Sequence, residues 1–194
     1  MNYLNEVTLS GLLHHLNRKK DHNYFAFSVR HENTWTDGTT RKDFLSARAF
    51  EPELQEKLKA LEENAPIRVK GVLHSSIGSG ELYLAVQEVE ALNESESESG
   101  TLENSVKLSG GMHVIKAKSE GENGTGRYIR FAVKQESQSS DGRSRRDFLV
   151  VRVYDDALKE SLSHKTDGEP VSVEGTLRSS KGSGVNYVRC TKLD

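Results

Sequence analysis

The chain has 194 residues, enough for one large or two small domains. Apolar residues make up 34 % and charged residues 29 %, which is polar for a globular protein but sufficient for small β-rich cores. The formal net charge of −2 excludes a globally basic footprint, and no apolar run approaches the ~18–20 residues of a membrane span.

The charge is unevenly spread. Residues 1–92 carry 11 basic and 13 acidic side chains, residues 93–105 four Glu and no base, and residues 106–194 carry 16 basic and 12 acidic. An acidic connector therefore separates a near-neutral half from a basic one. The single cysteine, Cys190, rules out an internal disulfide. Together with the absence of a signal peptide, this predicts a cytoplasmic protein.

The first predicted strand is Val7–Leu13, with Gly11 allowing a bend. A basic connection (His14, His15, Arg18, Lys19, Lys20) leads to strand two, Tyr24–Arg30. The loop 32–40 contains Asp37-Gly38, a tight-turn signal, and leads to strand three, Asp43–Phe50. A short helix follows, with Pro52 in its first turn and Leu54, Leu58 and Leu61 on one face. Strand four is Ile67–Leu73, Ser75–Gly80 makes a hairpin turn, and strand five is Leu82–Val89.

The same order then recurs. At an offset of 104, Tyr24–Val29 falls on Tyr128–Val133, Phe44-Leu45 on Phe148-Leu149, Arg48 on Arg152, and Val69–Leu73 on Val173–Leu177. Roughly a third of positions 24–90 are identical to their counterparts, without a gap. Val7–Gly11 matches Val106–Gly110 at an offset of 99, so the second copy has five extra residues between its first two strands. The second helix is expected from Asp155 to about Lys165.

The order β-β-β-α-β-β predicts an all-β fold with one short helix per repeat: two tandem five-stranded oligonucleotide/oligosaccharide-binding (OB) barrels. The expected boundaries are 1–92 for the first barrel, 93–104 for a flexible acidic linker and 105–194 for the second barrel. A single β-sandwich is the competing architecture, but it gives no reason for a duplicated helix. The linker reads as a spacer, or else as an acidic mimic competing for the basic faces.

Strand alternation sorts the side chains. On strand two, Phe25, Phe27, Val29 and Ile129, Phe131, Val133 face the core. Tyr24, Arg30, Tyr128, Arg130 and Lys134 face away. On strand three, Leu45, Ala47, Ala49 and Leu149, Val151, Val153 face inward. The outward set is Lys42, Phe44, Arg48, Phe50 and Arg146, Phe148, Arg152, Tyr154. Rings interleaved with cations match what a single strand presents, unpaired bases and phosphates. Trp35, in a polar loop, joins the set; its counterpart is Ser139. Structural alternatives stand beside these assignments. Tyr24, Tyr83, Tyr128 and Tyr187 are also suited to capping barrel ends. Phe50 and Tyr154 are also suited to the core, and Arg48 and Arg152 to ion pairs with Asp43, Asp147 or helix carboxylates.

These residues resemble the bacterial single-stranded DNA-binding (SSB) protein family. Asn5-Glu-Val-Thr-Leu-Ser-Gly11 is similar to that family's opening strand, and Phe27-Ser-Val29 with Trp35 to its second strand and tryptophan loop. Phe44 and Phe50 match its strand-three aromatic pair, with Phe in place of Trp at 44 and 148. Val69–Leu73 and Val173–Leu177 match its fourth strand. The resemblance implies base stacking on Trp35, Phe44, Phe50, Phe148 and Tyr154, and pairing of two-barrel chains into a homodimer of four barrels. The family's acidic, Phe-ended tail is not seen at Thr191–Asp194, so recruitment through such a tail is not expected.

No enzyme, cofactor or metal is expected. His14, His15, His22 and His31 lack ligand spacing, the Gly-Ser-Gly turns lack the Lys and helix of a phosphate loop, and Cys190 reads as a core residue. The functional expectation is sequence-tolerant single-stranded DNA binding in replication, recombination, repair or transfer. The alternatives are an RNA binder and a protein-interaction barrel with no nucleic-acid role.

Overall fold

The duplicated sequence pattern becomes a duplicated set of strands in a computed structural model, described for residues 3–16, 23–34, 38–93, 102–115, 128–138, 142 and 144–194. The first repeat contains β1 (Asn5–His15), β2 (Phe25–Thr34), β3 (Thr40–Ala49), α1 (Pro52–Lys59), β4 (Pro66–Ser75) and β5 (Leu82–Ala91). The second contains β6 (Asn104–His113), β7 (Ile129–Gln138), β8 (Ser144–Val153), α2 (Asp156–Ser163), β9 (Pro170–Ser179) and β10 (Asn186–Leu193). Trp35, Asp37, Asp141 and connector residues 94–101 lie outside the described residues.

Each repeat closes on itself. β1 pairs antiparallel with both β2 and β4, β2 pairs with β3, and β5 pairs with β4 and, in parallel, with β3. The second repeat reproduces every one of these pairings. These are five-stranded OB barrels. Gly38 and Gly142 sit at positive φ (81° and 79°), as the turns into β3 and β8 require. β2 runs past its expected end at Arg30. Glu32, Asn33 and Thr34 continue the ladder against Lys42, Arg41 and Thr40, so much of the expected loop is strand.

The cores follow the alternation. Val7, Leu9, Leu13, Phe27, Val29, Leu45, Ala47, Ala49, Ile67, Val69 and Leu73 are buried in the first barrel. Phe131, Val133, Leu149, Val151, Val153, Val173 and Leu177 are buried in the second. Each helix buries one leucine, Leu58 or Leu162, and leans a second, Leu54 or Leu158, on the core. Pro52 starts α1, whereas Asp155 caps α2 by accepting a hydrogen bond from the Leu158 amide at 3.0 Å. Cys190 is buried, and burial pushes its thiol up to about 11, as suits a core position.

The two barrels are not separate beads. β1 pairs antiparallel with β6 around Val7↔Val106, joining all ten strands into one sheet. The opening Asn of each repeat acquires a clear reason. Asn5 Oδ1 accepts from the Leu73 amide at 2.8 Å while its Nδ2 donates to the Leu73 carbonyl at 2.9 Å; Asn104 treats Leu177 identically at 2.7 and 2.8 Å. Each side chain prolongs the ladder beyond the strand's own backbone. Asn5 Nδ2 also donates to Gln135 Oε1 at 2.8 Å, tying the barrels together.

Candidate nucleic-acid interface

The residues at the start of β3 and β8 do two jobs, divided by strand alternation. Asp43 and Asp147 turn inward to the contact between barrels, while Phe44 and Phe148 turn out. Asp43 is fully buried and accepts from the Ser179 amide (3.0 Å), Ser179 Oγ (2.9 Å) and Arg41 (3.0 Å), with Arg178 Nε 2.8 Å from its other oxygen. Asp147 reproduces this with Ser75 N (2.8 Å), Ser75 Oγ (3.1 Å), Arg145 (2.9 Å) and His74 (2.8 Å). Burial works against the Asp147 anion, but the hydrogen bonds from His74, Arg145 and the Ser75 amide outweigh it. The carboxyl is held well below the usual carboxylate range. Ser75 Oγ accepts a hydrogen bond from the Phe148 amide at 3.2 Å, so the inter-barrel contact also fixes the base of the Phe148 platform.

The charge expected at the entrance of β3 is therefore divided. Arg41 and Arg145 are drawn into the inter-barrel contact, whereas Lys42 and Arg146 remain exposed. Phe44 and Phe148 are 45 % and 38 % exposed. Directly across the ladder, Phe44 faces Arg30 and Phe148 faces Lys134. Each phenylalanine thus has a cation beside it.

A carboxylate stands among those cations in each barrel. Glu32 lies 3.3 Å from Arg30 and 3.7 Å from Lys42, and Glu136 lies 3.0 Å from Lys134 and 3.1 Å from Arg146. The Lys134 hydrogen bond, with Arg146 adding to it, lowers the Glu136 carboxyl below its ordinary value. These glutamates were hidden because the sequence placed Glu32 in a loop; their equivalence at offset 104 is the signal that finds them.

A second cluster lies further along β3 and β8. The Arg48 guanidinium stacks 3.9 Å over Tyr83 and 5.0 Å from Tyr24, and donates to Ser76 Oγ at 3.0 Å. Arg152 does the same with Tyr187 (4.0 Å), Tyr128 (4.9 Å) and Ser180 Oγ (2.8 Å). The ion pairs with Asp43, Asp147 or helix carboxylates do not form; the guanidinium planes lie on tyrosine rings instead. Phe50 is 37 % exposed and sits 5.4 Å from Tyr24, while Tyr154 sits 5.2 Å from Tyr128. Tyr83 and Tyr187 are buried beneath the arginines. Arg130 is exposed opposite Arg152 on the neighbouring strand. The structure thus gathers Lys42, Phe44 and Arg30 into one patch and Tyr24, Arg48 and Phe50 into another, with Lys134, Arg146, Phe148 and Tyr128, Arg130, Arg152, Tyr154 as their counterparts. Trp35 lies outside the described residues. Among the described residues no group of His, Cys, Asp and Glu is arranged to hold a metal, and no helix is long and apolar enough to cross a membrane.

No family model matches the sequence, and no curated protein matches it. The fold has solved counterparts. The wild-type single-stranded DNA-binding protein from Thermus aquaticus superposes with a TM-score of 0.68 at 16 % identity, covering 100 % of this chain and 93 % of that one. A deletion mutant of the same Thermus aquaticus protein gives 0.67 at 18 % identity, over 99 % and 94 %. The chain shares the tandem-barrel fold of these two structures. At this identity the likeness lies in the order and closure of the strands, and the side chains must speak for themselves.

Proposed function

We propose that the protein binds single-stranded DNA with little sequence preference, stacking bases on its aromatic patches and holding phosphates with the adjacent Lys and Arg. The observation that carries this reading is the duplicated pairing of an exposed Phe with a cross-strand cation, Phe44 with Arg30 and Phe148 with Lys134. Solvent alone gives no reason to expose a large ring at the same place in both barrels, and a base stacked on it does. The likeness to the Thermus aquaticus single-stranded DNA-binding protein supports the same reading. The role is coating and protecting strands during replication, recombination or transfer, by a homodimer presenting four barrels.

The test is fluorescence anisotropy of labelled oligo-dT at low salt. Saturable binding that weakens linearly in log salt is expected. A flat signal up to tens of micromolar protein overturns the reading and leaves a protein-interaction barrel. Competition with oligo-U decides between DNA and RNA, since stacking faces do not sense the 2′-hydroxyl. Light scattering decides between two and four barrels per particle.

A further inference from the structure

Beside each exposed phenylalanine lies a histidine that the nucleic-acid reading has not used. His14, near the end of β1, meets Phe44 edge-on with centroids 5.5 Å apart and planes at 71°. His113, at the end of β6, meets Phe148 at 5.1 Å and 61°. A carboxylate holds each ring by Nδ1: Glu63 at 2.6 Å for His14 and Asp167 at 3.1 Å for His113. Each carboxylate is itself fixed by the next backbone amide, His15 N at 2.7 Å and Val114 N at 2.9 Å. Those amide bonds, with the imidazoles adding to them, lower both carboxyls below their ordinary values.

The arrangement is built twice from parts that do not share one spacing. The phenylalanines and carboxylates correspond at an offset of 104, but the histidines correspond at 99, because the five-residue insertion follows β6. At 104, His14 falls on Lys118 and the pattern vanishes. The carboxylate changes from Glu to Asp while its bond to the imidazole is kept. The histidine side chains remain 42 % and 44 % exposed, and among the described residues Nε2 has no hydrogen-bond partner in either ring.

We infer that His14 and His113 are phosphate-contacting residues of the two nucleic-acid platforms, so that single-strand binding strengthens as the imidazoles gain a proton. The inference rests on the single-strand reading above. With Nδ1–H donated to the carboxylate, a protonated ring donates Nε2–H to a phosphate oxygen of the strand stacked on the neighbouring phenylalanine. The proton comes from bulk water. The groups around His14 are Glu63, His15 and, beyond Phe44, Arg30, Glu32 and Lys42; around His113 they are Asp167, Lys134, Glu136 and Arg146. Of these side-chain types only imidazole ordinarily changes charge between about pH 5 and 8. His15, 3.6 Å from Glu63, has Val114 as its counterpart and therefore no place in the duplicated pattern.

The test measures oligo-dT affinity of the full chain across a salt series at pH 6 and pH 8. Thymine is chosen because it carries no proton-accepting ring nitrogen in this range. Each phosphate neutralised on a single strand adds about 0.7 to the slope of log affinity against log salt, so the slope is expected to be steeper by about 1.4 at pH 6. His14→Gln with His113→Gln should remove that difference, while His164→Gln, on the exposed end of α2, should keep it. Equal slopes at both pH values in the parent protein, or steepening retained in the double histidine variant, overturn the inference. Binding absent at both pH values overturns the single-strand reading itself, and this inference with it.

Discussion

Asp43 of the first barrel and Arg178 of the second face each other at 2.8 Å, both buried, with the aspartate side chain wholly out of contact with solvent. Its pseudo-symmetric counterpart pairs Asp147 with His74, also at 2.8 Å. The two contacts differ in chemistry and in burial: an imidazole can shed its charge and a guanidinium cannot, and His74 is more exposed than Arg178. Removing the carboxylate therefore leaves two guanidinium groups, Arg41 and the buried Arg178, without their partner at one site, and one guanidinium, Arg145, beside an imidazole that can lose its charge at the other. Asp43→Asn should cost about 3–5 kcal/mol, the range for breaking a buried pair from one side. Asp147→Asn should cost less. Thermal or denaturant unfolding at neutral pH compares them, and equal losses would mean that Arg178 is solvated in a way the structure does not show.

Asp147 also makes the fold acid-sensitive. Its folded carboxyl titrates well below the unfolded value of about 3.9, so its stabilising contribution is complete above that value. The contribution is lost as pH falls through the depressed folded value. Denaturant unfolding at stepped pH should show the parent protein losing stability steadily below about pH 4. Asp147→Asn should begin less stable at pH 7 and fall less steeply over the same acid range. Parallel curves would show that another carboxylate carries the linkage.

Phe44 and Phe148 are exposed enough that truncation leaves the cores intact. Phe44→Ala and Phe148→Ala should each weaken oligo-dT binding by about 1–3 kcal/mol, with little change in the unfolding midpoint. If the folded double variant binds like its parent, the stacking face has been assigned to the wrong side of the barrel.

Glu32 and Glu136 occupy positions between cations where a phosphate oxygen would be welcome. Glu32→Gln with Glu136→Gln should tighten oligo-dT binding several-fold at low salt, and the gain should shrink as salt screens the charges. Weaker binding in this variant would show that the carboxylates orient the cations rather than compete with the strand.

Gly11 and Gly110 are required for approach between strands. A Cβ on Gly11 would lie 2.4 Å from the Arg30 carbonyl oxygen and 2.8 Å from Val29 Cγ1, and Gly110 meets Lys134 and Val133 at the same distances. Gly11→Ala should cost about 1–3 kcal/mol through forced displacement of β2. Because Arg30 lies across from Phe44, the same change should also weaken binding through the first barrel. Unchanged affinity in the folded variant would show that β2 moves without disturbing the platform.

Much of this was legible in the sequence because strands with one buried face write their alternation into it. Phe25, Phe27, Val29 and Leu45, Ala47, Ala49 announced two adjacent strands, and the offset of 104 announced a second copy. The inter-barrel contact was not legible. Arg41 and Arg145 read as surface charge beside a turn, and nothing local distinguishes an arginine that bends inward to a buried aspartate from one that reaches for a phosphate. Arg48 and Arg152 were ambiguous for the same reason, since their tyrosine partners come from the residue before β2 and from β5, or from the residue before β7 and from β10. The histidines were obscured by the insertion, which breaks the repeat into two offsets.

The β1–β6 ladder has a consequence for how the molecule assembles and diverges. Pairing between these two edges takes place within one polypeptide, so dilution cannot undo it and no second copy need be found. Two barrels made as separate identical chains would have to carry every substitution twice. Here the halves are free to differ: His74 opposite Arg178 in the repeat, Leu82 opposite Asn186, and the protruding Ile77 of one hairpin opposite Lys181 of the other. The protein is in effect an obligate heterodimer synthesised as a single chain, in which one partner can be tuned for grip while the other keeps the shape.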